Sequence, residues 1–421
     1  NVDLVEITAY SDDDAYAIFE TTNDRGLSLS PTEMLKGYLL SKIDDPELKQ
    51  KANELWRARL FQFLEMEEPE ADFFKAWLRS QYADTIRERK KGAINKDFER
   101  LGTSYHKWVQ DKCTHIGLKT SQDFYHFVNG LFNHYSEQYL RLCKAATELT
   151  PGLEYVYYNA YNDFTLQDPL ILAAIRPEDD MATVDKKMRL VAGYLDIFIV
   201  RRIVNFRTLG YSSIVYTMFN LMKEIRGLDV PGLVQFLKSK VEEMEESFDG
   251  VEHLYMHQQN RYRLHLLLAR ITHHIEKECS IESSFLTYVS RDIKKPFEIE
   301  HIWADKYAEH TEEFDHPEEF NEYRNRIGGL ILLPRGFNQS LGDKSYKGKL
   351  DAYFGQNMLA KTLHPRCYEN NPSFLDYVDR SGLPFKPYPT EFTKASLAER
   401  QKLYQHICEE IWSPERFDRE L

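Results

Sequence analysis

The sequence predicts a mainly α protein, with helical N-terminal and middle regions and a small C-terminal α+β domain. Two observations carry this reading. From about residue 46 to 285, apolar and aromatic side chains recur at helical spacing, as in Trp56, Leu60, Phe63 and Leu64, or Phe124, Phe127, Leu131 and Phe132. Such stripes bury one helix face in a core. Near the C-terminus the pattern changes. Phe297-Glu298-Ile299-Glu300-His301-Ile302 alternates as a strand does, and Gly328-Gly329-Leu330-Ile331-Leu332-Leu333 is a short apolar strand. A helix or loop after the second strand completes a ββα hairpin.

Taken in order, Asp12 to Asp14 cap a helix running through Ala15, Ile18 and Phe19, and Asn23-Asp24-Arg25-Gly26 is a turn. Ser30-Pro31-Thr32-Glu33 starts the next helix, with Ser30 as cap, Pro31 in the first turn and Glu33 as capping-box partner. Met34, Leu35, Tyr38 and Leu39 give that helix its apolar face. Breaks are expected at 87–96, Thr150-Pro151-Gly152, the acidic turn 177–180 and Lys294-Lys295-Pro296. They suggest three domains: 1–45, 46–290 and 291–421. Arg201 and Arg202 sit in the strongly apolar run Leu190–Val204, where paired guanidinium groups need carboxylates, and an internal salt bridge is the favoured reading. His257, His265 and His273 are spaced by eight and lack the i, i+4 pairing of a helical zinc site, so they read as surface or packing residues.

Composition narrows the function. A hydrophobic content of 42% and an aromatic content of 13% suffice for real cores and argue against a disordered chain. No window is long and apolar enough to cross a membrane. The five cysteines, Cys113, Cys143, Cys279, Cys367 and Cys408, are scattered, which excludes a disulfide framework or Cys-x-x-Cys zinc site and suits a reducing cytoplasmic setting. The net charge of −13 argues against a general nucleic-acid coat protein, since phosphate contacts need cations. It leaves room for local basic patches: Arg87, Arg89, Lys90 and Lys91; Arg201, Arg202 and Arg207; and Lys344, Lys347 and Lys349. The first run reads best as a solvated face. The last is the strongest nucleic-acid candidate because it follows Asn338 directly.

The hairpin is where chemistry concentrates. Carboxylates at Glu298 and Glu300 share a strand face, His301 follows at once, and the amide of Asn338 comes after the second strand. Histidine suits a general base near neutrality. Carboxylate and amide oxygens suit one hard cation, Mg²⁺ or Mn²⁺, and no thiolate is near to favour zinc.

These residues resemble the HNH, or His-Me finger, nucleases. In that family an acid-histidine pair ends the first strand, a central Asn braces the base, and an Asn or His after the second strand is the last metal ligand. The resemblance implies His301 as base, Glu300 and Asn338 as metal ligands, and Glu298 as a further one. The family's "N-x-x-G-N-L-x-L-L" reads here as Asn325-Arg326-Ile327-Gly328-Gly329-Leu330-Ile331-Leu332-Leu333, so Gly329 replaces the central Asn, with Asn325 or Asn321 as the candidate substitutes. Asn338-Gln339-Ser340-Leu341, with Lys344, Tyr346, Lys349 and Tyr353, resembles more narrowly the C-terminal nuclease domain of GmrSD-type modification-dependent restriction enzymes. So do the closing helix Leu397–Trp412 with Arg400, the Val200–Ile203 and Thr208–Tyr211 stretches, and Ala17–Leu29. By the same resemblance, residues 1–45 are the end of the family's N-terminal domain, whose ParB-like part would precede Asn1.

The expectation is therefore a metal-dependent DNA endonuclease of a modification-dependent restriction or anti-phage system, with one Mg²⁺ or Mn²⁺ per site. DNA is the expected partner, and a homo-oligomer would allow both strands to be cut. The competing readings are a helical scaffold whose degenerate hairpin binds DNA or another partner without cutting, and an RNA-directed nuclease toxin. Gly329 predicts a looser base loop and weak activity, with Gly329→Asn raising or preserving it.

Overall fold

The computed structural model describes residues 29–421. The cap expected at Asp12 to Asp14, the Asn23–Gly26 turn and most of the Ala17–Leu29 motif lie outside the described residues. The described chain is mainly α, with one two-stranded antiparallel sheet. It divides into two compact units. The first contains the chain up to Asp196 together with Leu209–Lys240 and Phe417–Leu421; the second contains Ile197–Thr208 and Val241–Arg416.

The first unit opens as its sequence dictates. Ser30 Oγ accepts the Glu33 amide at 3.2 Å, while Glu33 Oε2 accepts the Ser30 amide at 2.7 Å, so the capping box closes ahead of the Pro31–Ser41 helix. Leu35 and Leu39 are buried beneath it. The core is a stack of rings. Trp56, from the Pro46–Glu65 helix, lies 4.5 Å centroid to centroid from Phe132 and 5.3 Å from Phe74. Phe63 joins through Phe73 at 5.3 Å, but Leu64 is 73% exposed, because it sits about 100° around the helix from Phe63 and faces solvent. The acidic turn before residue 181 ties itself down: Asp179 Oδ2 meets Lys187 Nζ at 2.6 Å with both side chains buried. The basic run 87–91 is exposed throughout, as a solvated segment should be, and Lys90 pairs with Glu88.

In the second unit, β1 (Phe297–His301) pairs with β2 (Leu330–Pro334), with Glu300 opposite Ile331 and His301 opposite Leu330. Two strands alone cannot bury their faces. The Arg261–Glu278 helix packs on β2, and the Tyr288 ring meets Phe297 at 4.8 Å. The position expected as a domain boundary, 290/291, falls inside this unit: Val241–Arg416, together with Ile197–Thr208, packs with the hairpin. Arg202 Nη1 reaches Glu246 Oε1 at 3.3 Å and Arg201 Nη1 donates to the Val241 carbonyl at 2.8 Å, the internal pairing expected of these arginines. His257 precedes the Arg261–Glu278 helix, so the three histidines do not share one helix.

The closing helix, Lys394–Ile411, crosses directly over the start of β2. Gln401 Nε2 donates to the carbonyls of Val251 and Leu254 at 2.8 and 3.1 Å, and Tyr404 Oη donates to the Leu330 carbonyl at 3.0 Å. The crossing is close enough that a Cβ at Gly328 would stand 2.5 Å from the Leu397 carbonyl oxygen and 2.6 Å from the Gln401 nitrogen. Both obstacles are backbone. Gly328→Ala is therefore expected to destabilise the protein by about 1–3 kcal/mol. Gly336→Ala, where an added Cβ meets nothing within 4 Å, should be neutral or slightly stabilising. Urea titration of the two variants checks the contrast; equal midpoints would remove the close helix crossing as the reason for Gly328.

Candidate active site on the hairpin

The strand alternation that places Glu298 and Glu300 on one face of β1 places Ile299 and His301 on the other. The acid-histidine pair is thus divided between the two sides of the sheet. Glu300 points into the protein. Its Oε1 accepts from Lys349 Nζ at 2.7 Å and from Tyr353 Oη at 3.1 Å, and the same ammonium donates to the His301 carbonyl at 3.0 Å. Both members of the ion pair are buried. Burial and the Glu300 charge push the Tyr353 phenol well above its ordinary range, so it stays a donor.

On the opposite face, the His301 ring is held by Asn325, the residue that ends the Pro317–Arg324 helix. Asn325 Nδ2 donates to the Asn321 carbonyl at 2.8 Å, which leaves Oδ1 to accept from His301 Nε2 at 2.9 Å. The neutral ring is thereby fixed with its proton on Nε2 and its lone pair on Nδ1. Burial lowers the His301 pKa to about 4, helped by Arg324 and opposed by the Asn325 contact. The ring is neutral at physiological pH. Of the two candidate braces, Asn325 touches the ring and Asn321 holds Asn325. Gly329 contributes through its backbone, its carbonyl accepting the Ile302 amide at 2.9 Å. A side chain there would start 3.2 Å from Leu397 Cδ1, so Gly329→Asn requires Leu397 to give way. With Asn325 already against the ring, the expected gain of activity from that substitution loses its structural basis.

At β1 lies a surface cavity of about 410 Å³ lined by Gln258, Arg261, Tyr262, His265, Arg291, Glu298 and Ile299. Arg261 and Arg291 are exposed, and neither forms an ion pair among the described residues. Arg291 Nη1 donates to the Phe297 carbonyl at 3.2 Å, which aims the guanidinium along β1. These two arginines escaped the sequence reading, which looked for lysines after Asn338; the Arg261-Tyr262-Arg263 cluster and the Arg291–Lys295 run were the available signals. Of the expected lysines, Lys344 and Lys347 are exposed. Lys349 departs from expectation: it is buried against Glu300 and presents nothing to a nucleic acid.

The expected metal ligands are also engaged elsewhere. Glu300 is held by Lys349. Glu298 Oε1 lies 3.4 Å from Arg335 Nε, and Asn338 Nδ2 donates to the Ile299 carbonyl at 3.4 Å. Among the described residues no three His, Cys, Asp or Glu side chains converge as a metal site. As they stand, Glu300, Glu298 and Asn338 do not fit a resident hard cation, because an ammonium already fills the cation's place beside the one buried carboxylate.

The second unit thus joins a small hairpin, a neutral braced histidine and a cationic cavity, and over most of its length it is similar to a restriction-endonuclease domain. More particularly, residues 239–405 match the family of GmrSD restriction endonucleases, C-terminal domain. Neither a curated protein nor a solved structure matches this chain. No described helix is long and apolar enough to cross a membrane.

The ion pair and the histidines make separate predictions. Lys349→Met strands a buried carboxylate and should cost about 3–5 kcal/mol of stability by urea unfolding. The double variant Lys349→Met/Glu300→Gln should recover part of that loss. A DNA-facing lysine would instead leave stability intact and reduce the salt dependence of binding. His265 donates Nε2–H to the Tyr288 carbonyl at 2.7 Å, and burial, aided by Arg291 and Arg261, lowers its pKa to about 4; burial does the same to His273. Their neutral rings contribute stability that is complete above the unfolded value near 6.5 and is lost as pH falls toward 4. Each ring should add up to about 1.4 kcal/mol of destabilisation per pH unit within that window. Equal urea midpoints at pH 7.5 and 5.0 would contradict this.

Proposed function

We propose that the chain is a DNA endonuclease of the modification-dependent restriction type, acting against phage or other foreign DNA, with His301 as its general base. The observation that carries this reading is the Asn325–His301 contact. It leaves Nδ1 unprotonated, on the strand whose neighbouring residues Glu298 and Ile299 line the cationic cavity. In the proposed step, a water oxygen attacks the phosphorus, His301 Nδ1 takes the water's proton, and the P–O3′ bond breaks. The O3′ leaving group takes its proton from solvent. Arg261 and Arg291 offset the charge that builds on the non-bridging oxygens. Mg²⁺ or Mn²⁺ remains the cofactor proposed from the family resemblance. No step here is routed through it.

A second reading has its own observation. The Lys349–Glu300 pair neutralises the carboxylate that an HNH-type site would give to a metal, which favours a hairpin that binds DNA without cutting. One assay separates the two. Supercoiled plasmid, with RNA as a parallel substrate, is incubated with the full chain in Mg²⁺, Mn²⁺ or EDTA. His301→Ala should stay folded and lower nicking by about 10²–10⁴-fold. Asn325→Ala should lower it by about 10–100-fold, since it frees the ring's orientation but not its lone pair. DNA that is bound but left uncut by the parent chain in both metals selects the non-cutting reading, and preferential RNA cleavage selects a toxin. Unchanged nicking in His301→Ala would remove the base assignment.

A further inference from the structure

Phe206 is an unusual residue for its backbone. It lies just past the Met181–Val204 helix, with φ at +54°. Its amide donates to the Ile203 carbonyl at 3.1 Å and the Arg207 amide to the Arg202 carbonyl at 2.8 Å. This is the Schellman ending of a helix, and its left-handed position normally takes glycine. A phenylalanine there is disfavoured by the Cβ, and its ring is 47% exposed, so burial does not repay the strain. The ring does have neighbours. Tyr255 lies 5.4 Å away, and His257 at 6.1 Å is nearly parallel, at 22°. Tyr255 is itself 38% exposed.

The place of this cluster gives it meaning. Residues 254–256 run beside the brace of the base: Tyr255 bridges Arg326, the Met256 amide donates to the Asn325 carbonyl at 2.7 Å, and the Ile327 amide donates to Leu254 at 3.0 Å. Gln258, the residue after His257, already lines the cavity that holds Arg261 and Arg291. Exposed flat rings next to unpaired guanidinium groups match the two parts of a nucleotide, a π-face and a phosphate. A paired duplex hides its base faces, so rings of this kind are useful only to bases out of the stack.

We infer that Phe206, Tyr255 and His257 form a stacking shelf for an unstacked nucleobase, single-stranded or turned out of a duplex, whose flanking phosphate is held by Arg261 and Arg291 beside His301. The inference rests on the nuclease reading for its substrate class, but binding can be measured without cleavage.

The test uses the full chain carrying His301→Ala, in EDTA, with a fluorescein-labelled single-stranded 20-mer, the matched duplex, and a duplex with one extrahelical base. Fluorescence anisotropy should show tighter binding to the single strand and the bulged duplex than to the matched duplex. Phe206→Gly should weaken the first two by about 5- to 100-fold, leave the matched duplex unchanged, and melt no lower than its parent, because glycine suits the left-handed cap. Tyr255→Ala should act in the same direction, and Arg261→Gln should weaken all three probes. Equal single-strand affinity in parent and Phe206→Gly would overturn the shelf. So would a lowered melting temperature in Phe206→Gly, which would make the ring a packing residue. Loss of plasmid nicking in the parent chain with this binding pattern intact would overturn the nuclease reading and leave the shelf standing.

Discussion

The hairpin depends on where one ammonium group goes. Lys349 reaches from the Tyr346–Phe354 helix to Glu300 and to the His301 carbonyl, so a single charge fixes that helix to the end of β1. A buried carboxylate without such a partner would not stay ionised. The pair therefore determines the inner face of the sheet. The other face carries His301 with its Asn325 brace.

Electrostatics on that face follow from the same division. The acid sits behind the strand, its charge neutralised at contact distance, and the cations near the histidine are left to dominate. Burial and Arg324 keep the imidazole neutral, and Asn325 chooses which nitrogen carries the proton. In the proposed role, a base that is already neutral and held in one tautomer has met two of its requirements before substrate arrives. The third, a means of stabilising the charge on phosphorus, would in the same proposal fall on guanidinium groups that come from outside the hairpin.

Much of this was legible in the chain. Period-two alternation located β1, the apolar run located β2, and the capping box at Ser30 and the aromatic stripe through Trp56 and Phe63 appear as read. The bracing role of Asn325 was among the alternatives the sequence offered. Three features were not legible, for physical reasons. Adjacent residues on a strand face opposite ways, so Glu300-His301 looks like one site in one dimension and is two in three. Lys349 belongs to a basic cluster in sequence, but only helix packing reveals that one of its lysines turns inward. Arg261 and Arg291 are 30 residues apart and meet across a cavity that no local pattern announces. The expected boundary at 290/291 lies within one compact unit: a Lys-Lys-Pro turn looks like a linker, whereas the sheet packs on the helix that precedes it.

The discontinuous make-up of the second unit bears on how the chain can be divided. The family match begins at residue 239, but the packed unit also includes Ile197–Thr208, whose Arg201 and Arg202 bind residues 241 and 246. A fragment trimmed to the matched range would leave Glu246 without its guanidinium partner and expose the apolar surface that this short segment covers. Homology marks where a resemblance can be recognised; cooperative folding extends to wherever the contacts reach, and here the two edges differ by an entire helix end.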